Sequence, residues 1–183
     1  MPIVRLADCP ARPWKNGQGR TRELLVHPAG AGMDDFLWRV SIAEVDSAAP
    51  FSAFPGIDRV IALLDGDGFT MHLADGRTHA LTTPCAPFAF PGELGVDVAL
   101  AGGPSRDFNL MCRRERVRGM LTAVHRPGRH VLAPHTALVF CARGQIDTDD
   151  GPLAAEQAWL PSGAGHCVLD ADAEALMVRV EFP

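Results

Sequence analysis

The sequence predicts an all-β protein, a sandwich or barrel built from two copies of one small unit. Three observations lead there. The apolar residues fall in short runs: "FLWRVSIAEV" (36–45), "RVIALL" (59–64), "FTMHLA" (69–74), "DFNLMC" (107–112), "TALVFCARG" (136–144) and "ALMVRVEF" (175–182). Turn-forming segments separate them, "DGDG", "ADGR", "FPGE", "DTDDG" and "PSGAG", in a chain with 18 glycines and 15 prolines. These residues supply the backbone angles of tight turns, and strand-length runs between turns are the mark of β architecture. Finally, the order of signals recurs. A run from Val60 ends at Gly66, meets Asp75-Gly76 and reaches Pro91; a run from Leu138 ends at Gly144, meets Asp150-Gly151 and reaches Pro161. Two copies of one β unit suggest a duplicated barrel in which each half closes its own sheet edges. The only helical candidates are short, around 43–49 and 115–122.

Size and charge narrow the function classes. A chain of 183 residues and 19.6 kDa supports one core or two fused halves. A net charge of −5 and a pI near 5.7 disfavour nucleic acid and anionic membranes as partners. No apolar run is long enough to span a bilayer. "MPIVRLADCPARPW" lacks the charged and apolar regions of a signal peptide, so the expected location is the cytoplasm. The cysteines, Cys9, Cys85, Cys112, Cys141 and Cys167, are scattered and form no C-x-x-C, which predicts free, buried thiols.

The first element, "WKNGQGRTRE" (14–23), gathers cations around two glycines. It is neither a P-loop, which needs a Gly-Lys-Ser/Thr end, nor a dinucleotide fingerprint, since the third glycine is absent. Asn16-Gly17 is instead a hairpin dipeptide, tolerant of positive φ. After it Arg20 and Arg22 project to one side of a strand, Thr21 and Glu23 to the other. In "FLWRVSIAEV", Trp38, Val40 and Ile42 share one face, Arg39 and Ser41 the other. "PFSAFPGIDR" (50–59) is a rigid, aromatic connection suited to a pocket rim. In "RDFNLMCRR", Asp107, Asn109, Met111 and Arg113 share a face opposite an apolar one. Arg39, Ser41, Arg59, Asp107, Asn109 and Arg113 therefore lie either on the outer surface or around a cavity.

No His-x-His or His-Glu-x-x-His occurs among the seven histidines, and His166 has no matching cluster, so no metal site and no cofactor are expected. The serines lack the setting of an activated nucleophile.

Taken together, "WKNGQGRTRE", "FLWRVSIAEV", "PFSAFPGIDRVIALLDGDG", "FPGE" and "GPSRDFNLMCRR" resemble, in order and spacing, the HutD/Ves family of bicupin proteins. Gln18 stands where the family usually has a third glycine. The resemblance implies two small β-barrels of the RmlC-like cupin type in one bicupin unit. The approximate halves are 1–118 and 119–183, with strand exchange between them possible. It also implies a part in histidine utilisation through binding of a small metabolite, such as urocanate or formylglutamate, and makes the Trp14–Glu23 hairpin a pocket wall.

Local charge agrees with an anionic ligand. Residues 12–23 hold four cations against one acid, and residues 105–118 five arginines against two acids. Arginine pairs bidentately with carboxylates. The expected site comprises Arg39 and Arg59 as clamps, Ser41 and Asn109 as hydrogen-bonding groups, and Phe54 and Trp38 as apolar walls. Asp107 and Glu93 hold the clamps, and Trp14, Lys15, Asn16, Arg20 and Arg113 complete the surround. The expected partner is a small anionic metabolite, with a homodimer possible. The alternative is a cupin enzyme, an isomerase or hydrolase, using Glu93 or Asp107 for acid–base work on a carboxylate substrate.

Overall fold

The computed structural model describes residues 3–14 and 17–183. Along the first half of the chain run β1 (Ile3–Arg5), β2 (Ala11–Pro13), β3 (Gly19–His27), β4 (Trp38–Val45), β5 (Ile57–Gly66), β6 (Phe69–Leu73), β7 (Thr78–Leu81), β8 (Phe88–Pro91), β9 (Val96–Leu100) and β10 (Ser105–Arg113). There follow β11 (Arg118–Val124), β12 (Gly128–Val131), β13 (Thr136–Arg143), β14 (Gln145–Thr148), β15 (Gly151–Ala154), β16 (Gln157–Trp159), β17 (His166–Leu169) and β18 (Glu174–Glu181). The six apolar runs read from the sequence are β4, β5, β6, β10, β13 and β18. A single 3-10 turn at Leu6–Asp8 is the only helical element among the described residues. Both helical expectations are therefore corrected. Residues 43–45 continue the β4–β10 ladder, with Ala43 opposite Asp107 and Val45 opposite Ser105. Near 115, the backbone N–H groups of Arg116 and Val117 both donate to the Arg113 carbonyl, closing a turn that leads straight into β11.

The strands form four sheets. A six-stranded sheet has the order β2-β3-β4-β10-β5-β8, and a five-stranded sheet β1-β16-β13-β18-β11. A three-stranded sheet, β7-β6-β9, and a four-stranded sheet, β12-β17-β14-β15, complete the fold. The period of two along each strand decides what each face buries. Trp38, Val40, Ile42, Phe108 and Leu110 of the six-stranded sheet meet Leu138, Phe140, Leu176 and Val178 of the five-stranded sheet, and this contact is the central core. Burying each large apolar side chain there stabilises the fold by roughly 1.5–3 kcal/mol. The outer face of the six-stranded sheet packs Ile61, Leu63 and Phe90 against Phe69, Met71 and Val98 of the three-stranded sheet. The outer face of the five-stranded sheet packs Val139, Cys141 and Ala175 against Ile146, Leu153 and Cys167 of the four-stranded sheet. Both large sheets are thus covered on both faces.

The halves are tied in two further ways. β1 pairs with β16, so an N-terminal strand completes the five-stranded sheet. Arg106 of β10 reaches both Asp65 and Glu156, bridging one half to the other. All five cysteines are buried and free.

Candidate functional site

Because Trp38, Val40 and Ile42 fill the central core, the alternate residues of β4 face the three-stranded sheet. The same holds along β10 and β5. Register then assembles the floor of a cavity of about 540 Å³ in cross-strand rows. Arg39, Met111, Arg59 and Phe90 stand side by side across β4, β10, β5 and β8. Ser41, Asn109 and Ile61 form the next row, and Ala43, Asp107 and Leu63 the one after. Ser41 (2% exposed), Arg59 (6%), Asp107 (1%) and Asn109 (6%) are the polar side chains buried here. The volume suits a small molecule.

Arg59 sits in an aromatic cage. Its guanidinium carbon lies 5.1, 5.5 and 5.0 Å from the ring centroids of Phe51, Phe54 and Phe90, each within cation–π range. Local chain chemistry positions these rings. Phe54-Pro55-Gly56-Ile57 is a turn closed by the Ile57 N–H to the Phe54 carbonyl, with proline ahead of a glycine at φ +73°. Gly92 of "FPGE" lies against the Phe54 and Ile57 carbonyls, where a Cβ would collide, and its own carbonyl accepts from the Phe54 N–H at 2.7 Å. Phe51 is fixed by donating its N–H to Val96 O at 2.9 Å.

The other arginine is differently satisfied. Arg39 Nε donates to Glu23 Oε2 at 2.7 Å, and its Nη1 reaches Ser41 Oγ at 3.3 Å. Glu23 can meet it because it lies opposite Ser41 across the β3–β4 pairing, on the face that also carries Arg39. Trp14 closes one wall; its indole N–H donates to Thr21 Oγ1 at 2.8 Å. Met33 stands at the mouth, on a loop held by Arg113, which donates to the carbonyls of Phe36 and Asp34 at 3.1 and 2.7 Å.

Charge in the cavity is incompletely balanced. Among the described residues, Arg59 Nε, both carboxyl oxygens of Asp107 and Asn109 Oδ1 are buried with no partner in hydrogen-bonding geometry. Burial pushes the Asp107 carboxyl up to about 7, against the opposing pull of the Arg59 charge and, less, of the adjacent Asn109 side chain. Burial lowers Arg59 to about 10, with Asp107 opposing and Arg39 reinforcing that shift, so its guanidinium remains charged at neutral pH. Asp107 changes charge near neutrality, while Arg59 does not.

The structure brings together Trp14, Arg39, Ser41, Phe54, Arg59, Asp107 and Asn109 around this cavity. Lys15 and Asn16 lie outside the described residues. Arg20 points to the opposite side of β3 and pairs with Glu44, which also accepts from Arg22. Arg113 serves the Met33 loop. The remaining expectations are corrected: neither Arg20 nor Arg113 lines the cavity, and Asp107 makes no hydrogen bond to either clamp. Glu93 holds neither clamp: it pairs with Arg114 at 2.8 Å on the surface, and the acid that holds Arg39 is Glu23. Trp38 forms no pocket wall, because strand alternation turns it into the central core, stacked on His27 at 5.8 Å. Sequence reasoning passed over Phe51 and Phe90 as individual residues, although the segments "PFSAFPGIDR" and "FPGE" signalled them. Among the described residues no group of three or more His, Cys, Asp or Glu is placed to hold a metal ion.

Comparison with known proteins agrees with this architecture. The HutD family model matches residues 6–178. An uncharacterized 21.2 kDa protein in the hutC 3′ region of Pseudomonas putida is 39% identical over 145 residues, 79% of this chain and 75% of that protein. Protein Ves of Cronobacter sakazakii is 35% identical over 185 residues, covering 100% of this chain and 99% of Ves. Among solved structures, HutD from Pseudomonas fluorescens SBW25, in a formate condition, superposes with a TM-score of 0.87 at 30% identity, over 99% of this chain and 98% of that one. A cupin 2 conserved barrel domain protein from Leptotrichia buccalis, 11% identical, gives a TM-score of 0.58 over 98% of this chain and 96% of its own, a likeness of fold alone. With a family match over nearly the whole chain and relatives of 30% identity or more at both sequence and structure level, the chain belongs to the HutD/Ves family and has its cupin-type all-β fold.

Proposed function

We propose that the cavity binds a small carboxylate metabolite without a metal, and that the protein thereby moderates histidine utilisation in the cytoplasm. The observation that carries this reading is Arg59. A guanidinium that stays charged, nine-tenths buried and with an unpartnered Nε, faces a cavity of small-molecule size. A carboxylate supplies the charge and the acceptor that such a group lacks. Arg39, already neutralised by Glu23, steers more than it binds. The context comes from relatives: one is named for the hutC 3′ region, and the Pseudomonas fluorescens protein is named HutD. Urocanate and formylglutamate are the leading ligands. Calorimetric titration with urocanate, formylglutamate, glutamate and formate tests the reading; no heat from any of them at millimolar concentration sinks it.

One observation favours a second reading, an enzyme. Asp107 is a buried carboxyl poised near neutrality and facing the cavity, as a general acid or base requires. Incubation of the same metabolites with protein, followed by NMR, decides between them, because turnover lost in Asp107→Asn belongs to the enzyme alone.

A further inference from the structure

We propose that the site reads two groups on its ligand: a carboxylate at the Arg59 end and a nitrogen-borne N–H donor at Asp107 and Asn109. This rests on the carboxylate reading above and specifies its ligand class. The cavity holds one unpartnered donor, Arg59 Nε, and three unpartnered acceptors, Asp107 Oδ1, Asp107 Oδ2 and Asn109 Oδ1. A simple carboxylate offers acceptors only. It satisfies Arg59 and leaves the acceptors without hydrogen bonds, a state that buried oxygen atoms rarely sustain. Even with a proton on Asp107, whose O–H can then serve the neighbouring Asn109 oxygen, one carboxyl oxygen still needs a donor.

The placement is ordered along β10. Met111 marks the arginine row, Asn109 lies two residues on and Asp107 two further. That puts Asn109 roughly 7 Å and Asp107 roughly 13 Å from the arginine row along the strand. The long Arg59 side chain shortens these spans, since it lies close enough to Asp107 for each to shift the other's ionisation. Water cannot substitute selectively, because it fills acceptors for every ligand alike. The discrimination therefore lies between ligands with and without the donor, and a site built around a hydrogen bond strongly rejects an analogue that lacks it.

The test uses two matched pairs in calorimetric titration of the full chain. Urocanate is compared with 3-furylacrylate, which keeps a five-membered ring and the acrylate but has no N–H. N-formylglutamate is compared with glutarate. The expected result is at least tenfold tighter binding of the N–H-bearing member in one or both pairs. That preference falls to within threefold in Asp107→Leu, a near-isosteric apolar replacement, and in Asn109→Ala if the leucine variant does not fold. Equal affinity within both pairs overturns the donor requirement while leaving the carboxylate site standing. Absence of binding by all four overturns both together. A preference in the wild type that survives undiminished in both variants also overturns the assignment to Asp107 and Asn109.

Discussion

Two interiors of this molecule occupy matching places in their sheets and are filled differently. Across the six-stranded sheet, Arg39, Met111, Arg59 and Phe90 form one row. Across the five-stranded sheet the corresponding row is Thr122, Met177, Val139 and Trp159. One step along, Ser41, Asn109 and Ile61 stand where the second sheet has Val124, Ala175 and Cys141. Valine and alanine let the second interior pack densely around Trp159, whose N–H donates outward to Asp150 at 2.7 Å. Arginine and asparagine at the same places keep the first interior open and polar. The difference teaches that the fold tolerates either filling, and that a handful of side chains in two rows decides which half presents a site.

Four predictions break or sharpen that comparison, and the largest comes from exporting the arginine. Val139→Arg places a guanidinium among Trp159, Ala175 and Ile146, where the one nearby acid, Asp150, already accepts from the Trp159 N–H. An unpaired charge in so apolar a space costs several kcal/mol, roughly 5 or more. Loss of the cooperative thermal transition, or of expression in the native state, is the expected outcome; a Tm near wild type would show that the second interior is less apolar than its residues indicate.

The reverse exchange, Arg59→Val, removes the guanidinium from its cage. Binding of a carboxylate should weaken by about 2–5 kcal/mol, the range for removing one partner of a buried charge pair. The chain should still fold, because the central core is untouched. Thermal melts with and without ligand give the readout: the ligand-induced shift vanishes. A retained shift would remove Arg59 from the site.

Asp107 makes the first interior pH-dependent near neutrality, whereas the buried thiols of the second, Cys141 and Cys167, are pushed up to about 11. Its folded value of about 7 lies above the ordinary 3.8, so the folded chain holds the proton more tightly. The associated stability is complete below about pH 4 and is lost as pH rises through about 7. Ligand-free wild type should therefore gain stability relative to Asp107→Asn on going from pH 8 to pH 5.5, by up to ~4 kcal/mol over the full titration. Glu44 and Glu93, held low by arginines, act in the opposite sense only at lower pH. Parallel Tm profiles for the two proteins would contradict the buried, unpaired state of Asp107. The smallest effect is expected at Glu93→Ala, where an exposed pair with Arg114 is lost: a Tm indistinguishable from wild type and no change in binding.

Much of this was legible in the sequence, and the limit is physical. The long strands announce themselves because strand-length apolar runs sit between turns. The alternation in "FLWRVSIAEV" and "RDFNLMCRR" correctly separated a polar face from an apolar one. What alternation cannot say is which face looks at a cavity; that needs the three-stranded sheet laid across it. Pairings were harder still. Glu23 reaches Arg39 across the β3–β4 pairing, and Glu93 reaches Arg114 through a turn, so neither partner follows from spacing along the chain. Trp38 was misplaced for the converse reason: its own alternation already put it opposite Arg39. Strands of three to five residues, such as β7, β8 and β16, carry too few side chains to show a period.

The pairing of β1 with β16 has a consequence for how the chain is assembled. Ile3 lies opposite Trp159, so partners from distant parts of the sequence must meet before the five-stranded sheet has its outer strand. Contacts of such long separation form slowly, since loop closure comes before any reward. Until then β16 offers an unpaired edge to neighbouring chains, which favours aggregation during refolding at high concentration. The short strand at residues 3–5 covers that edge in the finished protein, and a chain that has not yet closed it leaves it open.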